Sequence, residues 1–183
     1  MLINTGDMEK DKVYMRIATG DDAALLAELG ARTFKDAFGK YNTEENINAY
    51  LSKAFGAKLQ AAELAKRGSV FLIAEFAGKS VGYARLNESQ APSGVKGHRP
   101  IELVRIYALP EMIGHGIGSQ LMQACLQAAQ KRGCDTIWLG VWERNARAIA
   151  FYRKWRFTKA GTQTFQLGDD PQTDWVMQRS VSI

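Results

Sequence analysis

The sequence predicts one mixed α/β domain over residues 13–183, preceded by a short N-terminal extension of residues 1–12. The chain has 183 residues, 46% of them hydrophobic and 23% charged, which is typical of a globular domain that buries its own core. Period-two alternation marks several strands, and strands alternate with amphipathic helices in the second half. Strands joined by helices imply parallel pairing in the middle of the sheet.

The first third of the chain predicts a strand followed by three helices. Residues 13–18 alternate as a strand does, and Thr19 and Asp21 can form the turn and cap of the amphipathic helix that follows. A second helix begins near Thr43, and the two acidic residues after Thr43 favour the positive end of a helix. A third helix covers residues 58–66.

The middle of the chain predicts a β-hairpin and a long loop. Residues 69–76 and 80–86 are rich in β-branched and aromatic side chains, and the tripeptide between them contains Gly78 and forms the turn. Residues 87–100 are polar and contain glycine, proline and serine, which are typical of a loop.

The second half predicts a regular succession of strands and helices. The elements are a strand at 101–109, a helix at 117–132, a strand at 136–141, a helix at 145–155, and two closing strands at 162–167 and 175–181. The central sheet is therefore expected to be mixed, with about six to seven strands flanked by about four to five helices.

Composition also excludes several classes of protein. The longest apolar runs span only a few residues, whereas a membrane span needs roughly 20. The first twelve residues include three acids and no apolar stretch, so we expect no signal peptide and a cytoplasmic location. Cys125 and Cys134 fit a reducing compartment, and with His98 and His115 they match no zinc-site spacing, so we expect no metal.

The chain carries 24 lysines and arginines against 19 acids, a formal net charge of +5. Such an excess is compatible with a nucleic-acid partner, an anionic ligand or an ordinary solvated surface. Without an aromatic-basic platform or a recognition-helix pattern, we expect no nucleic-acid partner. Six basic residues occur with no acid between Glu143 and Asp169, namely Arg144, Arg147, Arg153, Lys154, Arg156 and Lys159.

A glycine-rich turn between the predicted strand 101–109 and the helix 117–132 is the most informative segment. Gly114, Gly116 and Gly118 occupy alternate positions in it. Glycine permits positive φ and close approach, so several N–H groups can face one concavity at a helix N-terminus, where the dipole adds about half a positive charge. Such a turn can hold a pyrophosphate, and it can equally be a tight turn without a ligand.

Two other phosphate-binding patterns do not fit the sequence. The dinucleotide pattern Gly-x-Gly-x-x-Gly, counted from either of the first two glycines of the turn, meets Ser119 or Leu121 at its third position. The triplet 78–80 reads Gly-Lys-Ser like the end of a P-loop, but the required upstream glycine position holds Ile73. The triplet is better explained as a hairpin turn.

Two motifs occur in order in the second half: the turn carrying Ile113, Gly116 and Gly118, and the pattern Asn-x-x-Ala-x-x-Phe-Tyr from Asn145 to Tyr152. Together they resemble the acetyl-CoA-binding core of the GNAT superfamily of N-acetyltransferases, and the resemblance extends over nearly the whole chain. It implies the GNAT fold, with a splayed parallel strand pair, and transfer of an acetyl group from acetyl-CoA as cosubstrate to an amine.

The segments 138–143 and 165–174 resemble more closely the bacterial spermidine/spermine N-acetyltransferases of the Pai type. This implies a small primary amine as acceptor, most simply a polyamine. Substrate choice changes easily on a common fold, so acylation of a protein N-terminus or lysine stays open. A non-catalytic acyl-CoA sensor is a further alternative, and a homodimer is also left open.

The resemblance assigns chemistry to two residues. Tyr152 matches the family's general acid, and otherwise it is a helix residue packing beside its neighbours. Glu102 is the candidate base, because strand alternation places it on one face with Val104, Ile106 and Ala108 at the border of the site. The alternatives are that Glu102 forms a surface ion pair with Arg99 or Arg105, or that His98 or a water chain removes the proton.

The resemblance also implies a cofactor-binding set. The segment 106–108 is expected to pair with the pantetheine arm, with the Ala108 N–H polarising the thioester oxygen. The expected contacts of acetyl-CoA are Ile106, Tyr107, Ala108, Ile113, Gly114, His115, Gly116, Ile117, Gly118, Ser119, Asn145, Ala148, Tyr152 and Lys154. Two positions depart from the family: Ile113 replaces an Arg or Gln, and Arg156 replaces a Gly before Phe157, so a non-glycine residue must form that turn.

The acceptor side is expected to involve the first two helices, the 87–100 loop and the C-terminal strands. Acids that can attract a polycation are Asp36, Glu44, Glu45, Glu143 and Asp174. Aromatic residues that can contact a cation are Tyr41, Tyr50 and Trp142.

Overall fold

The computed structural model describes residues 12–181, so the predicted extension 1–12, apart from Lys12, lies outside the described residues. Seven strands and five α-helices occur within this range. In chain order they are β1 (Val13–Ile17), α1 (Ala23–Phe38), α2 (Glu44–Ala54), α3 (Ala57–Ala65), β2 (Ser69–Phe76), β3 (Lys79–Asn87), β4 (Pro100–Ala108), α4 (Ile117–Lys131), β5 (Thr136–Trp142), α5 (Ala146–Lys154), β6 (Thr158–Leu167) and β7 (Asp170–Ser180).

The seven strands form one sheet in the order β1-β2-β3-β4-β5-β7-β6. Every neighbouring pair is antiparallel except β4 and β5, which are parallel because α4 carries the chain back across the sheet. The mixed sheet predicted from the sequence is confirmed. The last two strands, β6 and β7, are longer than expected. Their pairing begins at the turn, with Leu167 opposite Asp170, and continues to Thr158 opposite Gln178.

Helices cover both faces of the sheet, as the neighbours of β3 show. At Gly82 a Cβ atom would lie 3.1 Å from the Ile117 side chain of α4, whereas at Gly30 of α1 it would lie 3.0 Å from the Tyr83 hydroxyl. Since successive strand residues point to opposite faces, α4 covers one face and α1 the other. A smaller apolar cluster joins α1 and α2 to β6 through Phe34, Ile47, Ala54, Phe55 and Leu167.

A β-bulge interrupts β4. On the neighbouring β3, Arg85 pairs with Arg105, but the next residue, Leu86, pairs with Leu103, so Val104 is an extra residue without a partner in that pairing. An extra residue shifts the alternation of every side chain on one side of it.

The bulge overturns the expected grouping on β4. Paired residues on neighbouring strands lie on the same face, and the observed register places Glu102 on the face of Arg105 and Tyr107. The expectation that Glu102 shares a face with Ile106 and Ala108 was therefore wrong. The expectation assumed that side chains alternate without interruption along β4, and such an assumption leaves out a bulge.

Candidate active site

A gap opens between β4 and β5 beyond three paired positions. The parallel register runs from Pro100 opposite Thr136 to Glu102 opposite Trp138 and, within the described residues, goes no further. Both strands continue, β4 to Ala108 and β5 to Trp142, so their C-terminal halves are splayed apart. The splayed parallel pair expected from the sequence is confirmed.

The splay leaves backbone N–H groups of β4 facing the gap. The Leu109 N–H donates to the Val81 carbonyl oxygen on β3 at 2.8 Å. Because hydrogen-bonding direction alternates along a strand, the N–H groups of Ile106 and Ala108 point the other way, toward β5. An extended ligand arm can pair with β4 there in place of the missing strand.

A cleft of about 680 Å³ extends from this gap to the protein surface. It is bounded by the end of β4, the glycine turn, the first turns of α4 and α5, and the C-terminal half of α1. Twelve residues predicted as cofactor contacts line it: Ile106, Tyr107, Ala108, Ile113, Gly114, Gly116, Ile117, Gly118, Ser119, Asn145, Ala148 and Tyr152.

Two predicted contacts, His115 and Lys154, are exposed and do not line the cleft. The N–H of His115 donates to the Met112 carbonyl oxygen within the turn, so it is not available to a ligand. Lys154 is the last residue of α5, about 12 Å along the helix axis from Ala146 at the cleft. The motif spacing alone did not show that only the N-terminal end of α5 lies at the cleft.

The glycine turn presents free N–H groups at the start of α4. Gly114 and Gly116 have φ of +92° and +78°, and the N–H of Gln120 is the first to reach back, to the Gly116 carbonyl oxygen. The N–H groups of residues 117–119 therefore have no helical acceptor, and the first turn contains no acid. The arrangement matches an anion such as a pyrophosphate.

Only two of the six basic residues in the acid-free stretch line the cleft. Arg144 and Arg147 lie there, at the start of α5. Arg153 and Lys159 instead lie over the Trp175 ring, at 5.7 and 4.2 Å from its centroid. The acid-free run therefore does not form one surface at the cleft, because its later members lie at the far end of α5 and beyond it.

Asn145 caps the helix that carries Tyr152. Its Oδ1 accepts the N–H of Ala148 at 3.1 Å, so this oxygen serves the helix and its amide NH₂ is the group available to a ligand. Asn145 and Ala148 thus hold the first turn of α5 at the cleft.

Tyr152 lies where the cleft meets a second, inner chamber of about 260 Å³, and it lines both. The residue is only 9% exposed, and burial raises the pKa of its hydroxyl. The phenol is therefore protonated at neutral pH and can donate a proton.

The inner chamber lies on the α1 face of the sheet and is walled largely by aromatic rings. Its lining includes Phe34 and Tyr50, stacked with ring centroids 4.4 Å apart, together with Phe55 and Phe165. Trp142 lines both cavities, and Tyr41 packs edge-on against it at the outer cleft. Glu102 and Asp174 supply the two carboxylates of the chamber.

Glu102 is half-buried, and its Oε2 accepts a hydrogen bond of 2.7 Å from the Ser89 hydroxyl. The pair with Arg105, weighed as an alternative, is not the arrangement in the structure, because Arg105 binds Glu63 at 2.6 Å. His98 is exposed in the loop before β4 and lines neither cavity.

Asp174 is the buried acid among the five proposed for the acceptor side. It is 8% exposed, and burial raises its pKa to about 6. Asp36 lines the outer cleft, whereas Glu44, Glu45 and Glu143 are exposed outside both cavities. Asp174 lies two residues before the buried Val176, on the same face of its strand, and this spacing was the sequence signal that could have singled out Asp174.

No helix of the described residues is both long and apolar enough to cross a membrane. Among residues 12–181, no three histidine, cysteine or acidic side chains are grouped so that they could hold a metal ion.

Comparisons with known proteins agree with this site. The Acetyltransferase (GNAT) family matches residues 33–157. An uncharacterized N-acetyltransferase of Lactobacillus delbrueckii subsp. lactis is 31% identical over 160 residues, which make up 87% of this chain and 92% of that relative.

Two solved structures share the fold. The PaiA N-acetyltransferase from Thermoplasma acidophilum, in complex with coenzyme A, has a TM-score of 0.73 at 20% identity and covers 92% of this chain and 99% of its own. The ribosomal-protein-S18-alanine N-acetyltransferase from Escherichia coli has a TM-score of 0.68 at 18% identity, covering 94% and 96%.

The cleft, its N–H donors and these matches lead to one conclusion. The GNAT fold expected from the sequence is confirmed, with its one parallel pair in a seven-stranded sheet. The donor-lined turn and the splayed strands fit the pyrophosphate and the extended arm of acetyl-CoA. This chain belongs to the GNAT family of acetyl-CoA-dependent N-acetyltransferases.

Proposed function

We propose that the enzyme acetylates a primary amine of a small cationic molecule, with a polyamine such as spermidine as the first candidate. The observation that carries this proposal is the inner chamber. It is small, walled by aromatic rings, holds two carboxylates and meets the cofactor cleft at Tyr152. Aromatic faces and carboxylates are the groups that attract ammonium ions.

In this proposal the outer cleft holds acetyl-CoA. The N–H groups of residues 117–119, with Arg144 and Arg147, bind its phosphates. The pantetheine arm pairs with β4, and the Ala108 N–H stabilises the negative charge that develops on the thioester oxygen. The acetyl group then lies at the junction of the two cavities.

Tyr152 is the proposed general acid. Its protonated hydroxyl stands at the junction, where it can give a proton to the departing thiolate of coenzyme A. Glu102, the base expected from the family, lines the inner chamber but already accepts a hydrogen bond from Ser89.

A thiol-release assay with acetyl-CoA tests the proposal. The acceptor panel contains spermidine, spermine, an aminoglycoside, free amino acids, lysine peptides and peptides with a free N-terminus. We expect the polyamines to give the highest kcat/KM. Faster turnover with peptides would instead indicate a protein acetyltransferase, and tight acetyl-CoA binding without release to any amine would indicate a sensor.

A further inference from the structure

We propose that Asp174 binds the ammonium group of the acceptor in the inner chamber and takes the proton that must leave before attack. This inference rests on the function proposed above and identifies the residue that selects a cationic acceptor. It assigns to β7 a role that the motifs on β4, α4 and α5 do not indicate.

The carboxylate of Asp174 is buried without a partner among the described residues. Asp174 is 8% exposed, lines the inner chamber, and among residues 12–181 forms no hydrogen bond or ion pair through its carboxylate. A carboxylate in such a position needs a partner, and the chamber onto which it opens is where water or a ligand can supply one. A positively charged ligand would satisfy it.

A glycine on the neighbouring strand leaves space around this carboxylate. Gly140, on the adjacent strand β5, also lines the chamber. A Cβ atom at that position would lie 3.1 Å from Asp174 Oδ2 and 2.6 Å from Gln163 Nε2. The glycine therefore leaves room for both polar side chains beside β5, on the chamber wall.

The other charged groups of the chamber are engaged or open to solvent. Arg105 binds Glu63, and Glu102 accepts the Ser89 hydroxyl. Arg147 is exposed and belongs also to the outer cleft. The ionisable phenols that face the chamber are Tyr50, Tyr107 and Tyr152, and burial raises the pKa of each, so they are neutral.

The aromatic walls favour transfer of a proton from the acceptor. An apolar environment disfavours charge on both groups, so it raises the pKa of a carboxyl and lowers that of an amine. The proton of a bound ammonium therefore passes to Asp174 more readily than it would in water. Above a pH of about 6 the carboxylate is charged and able to accept it.

One proton moves from the ammonium nitrogen to Asp174, and the free electron pair forms the C–N bond to the thioester carbon. The C–S bond then breaks, and its electron pair leaves with the sulfur as a thiolate. Tyr152 protonates the sulfur and regains a proton from the acetylated nitrogen, and Asp174 releases its proton to solvent.

The test compares D174N with the matched variant E102Q, which neutralises the other carboxylate of the chamber. Thiol release with spermidine is measured from pH 5 to 9. We expect D174N to lower kcat/KM by at least about 100-fold, the range for loss of an acid or base. The wild-type enzyme should show an inflection near pH 6 that D174N lacks. Calorimetry should find that the Kd of D174N for acetyl-CoA lies within about threefold of the wild-type value.

A second measurement does not depend on turnover. Spermidine binding to the coenzyme A complex is measured by calorimetry for the wild type, D174N and G140A. We expect binding at least about tenfold weaker in D174N. G140A, which displaces Asp174 and Gln163 without removing a charge, should weaken it as well. Circular dichroism and thermal melting check that each variant is folded.

Two results overturn the inference. One is equal spermidine binding by wild type and D174N, or binding by neither. The other is a D174N kcat/KM within about threefold of wild type; if E102Q falls by about 100-fold at the same time, the base is Glu102 instead. Absence of thiol release with every amine, while spermidine binding still requires Asp174, would contradict the proposed function and leave the binding role of Asp174 supported.

Discussion

Phe157 holds Tyr152 from the C-terminal end of α5. Its N–H donates to the Tyr152 carbonyl oxygen at 3.0 Å, and the two ring centroids lie 5.7 Å apart. A second hydrogen bond lies inside this one in the sequence: the Arg156 N–H donates to the Arg153 carbonyl oxygen at 2.9 Å. The pattern is a Schellman motif with an apolar contact across it, and it fixes the end of the helix that carries the proposed acid.

The motif places Arg156 in the left-handed region, with φ of +64°. The expectation that a non-glycine residue forms this turn is confirmed. A side chain at such a position costs about 1 kcal/mol relative to glycine, so Arg156→Gly should raise the free energy of unfolding by about that amount. Urea denaturation measures the change.

Arg156→Ala is the control for this first prediction. Both substitutions remove the charge near Arg179, whose pKa is lowered by burial and by Arg156, but only glycine relieves the backbone. A gain of equal size in both variants would attribute the effect to charge rather than to φ.

The proposed acid role predicts that Tyr152→Phe lowers kcat by about 100-fold or more, because thiolate departure loses its proton donor. Acetyl-CoA affinity should stay within about threefold, since the ring is retained. Steady-state kinetics and calorimetry measure the two effects separately.

Tyr83→Phe is a matched control for this loss. Tyr83 is also buried, its hydroxyl lacks a hydrogen-bond partner among the described residues, and it lines neither cavity. It should keep wild-type kcat. A wild-type rate in Tyr152→Phe would contradict the acid role.

The phosphate-binding role of the glycine turn predicts that Gly116→Ala weakens acetyl-CoA binding. Its φ of +78° disfavours a side chain, so the turn and its N–H groups should shift, raising Kd by about tenfold or more. Gly78→Ala tests the same backbone strain in the β2–β3 turn, where φ is +73° and space is equally open. Comparable weakening by both variants would speak against a local effect.

The buried carboxylate predicts a stability that depends on pH. The ordinary pKa of Asp174 is 3.8, and folding raises it to about 6, so the folded state binds more protons between these values. Stability is therefore lost as pH rises through this window, and the loss is complete above it. It is on the order of 2 kcal/mol once partial solvation is allowed for.

Asp174→Asn does not titrate, so its stability advantage over wild type should grow with pH and be larger at pH 8 than at pH 4.5 by about 1 kcal/mol, since part of the loss has already occurred at pH 4.5. Urea denaturation at several pH values measures the difference. A constant difference across this range would show that the carboxyl group is not perturbed by folding.

The sequence by itself determined the order of the elements and the location of the outer cleft, which we propose for the cofactor. Period-two and helical apolar patterns depend on neighbours within a few residues, and the glycines of the turn between β4 and α4 respond to local backbone geometry. The motifs from Ile113 to Gly118 and from Asn145 to Tyr152 therefore marked residues that line one cleft, although they lie on different elements.

Only the tertiary structure decided which carboxylates and cations face the site. The bulge at Val104 moved Glu102 to the other face of β4, the direction of β6 separated Lys159 from Arg147, and packing against β5 and the α1 side buried Asp174. Face and burial depend on the register between strands that are distant in the chain, and on which helices cover them. The physical forces that set them act between segments that no local pattern joins.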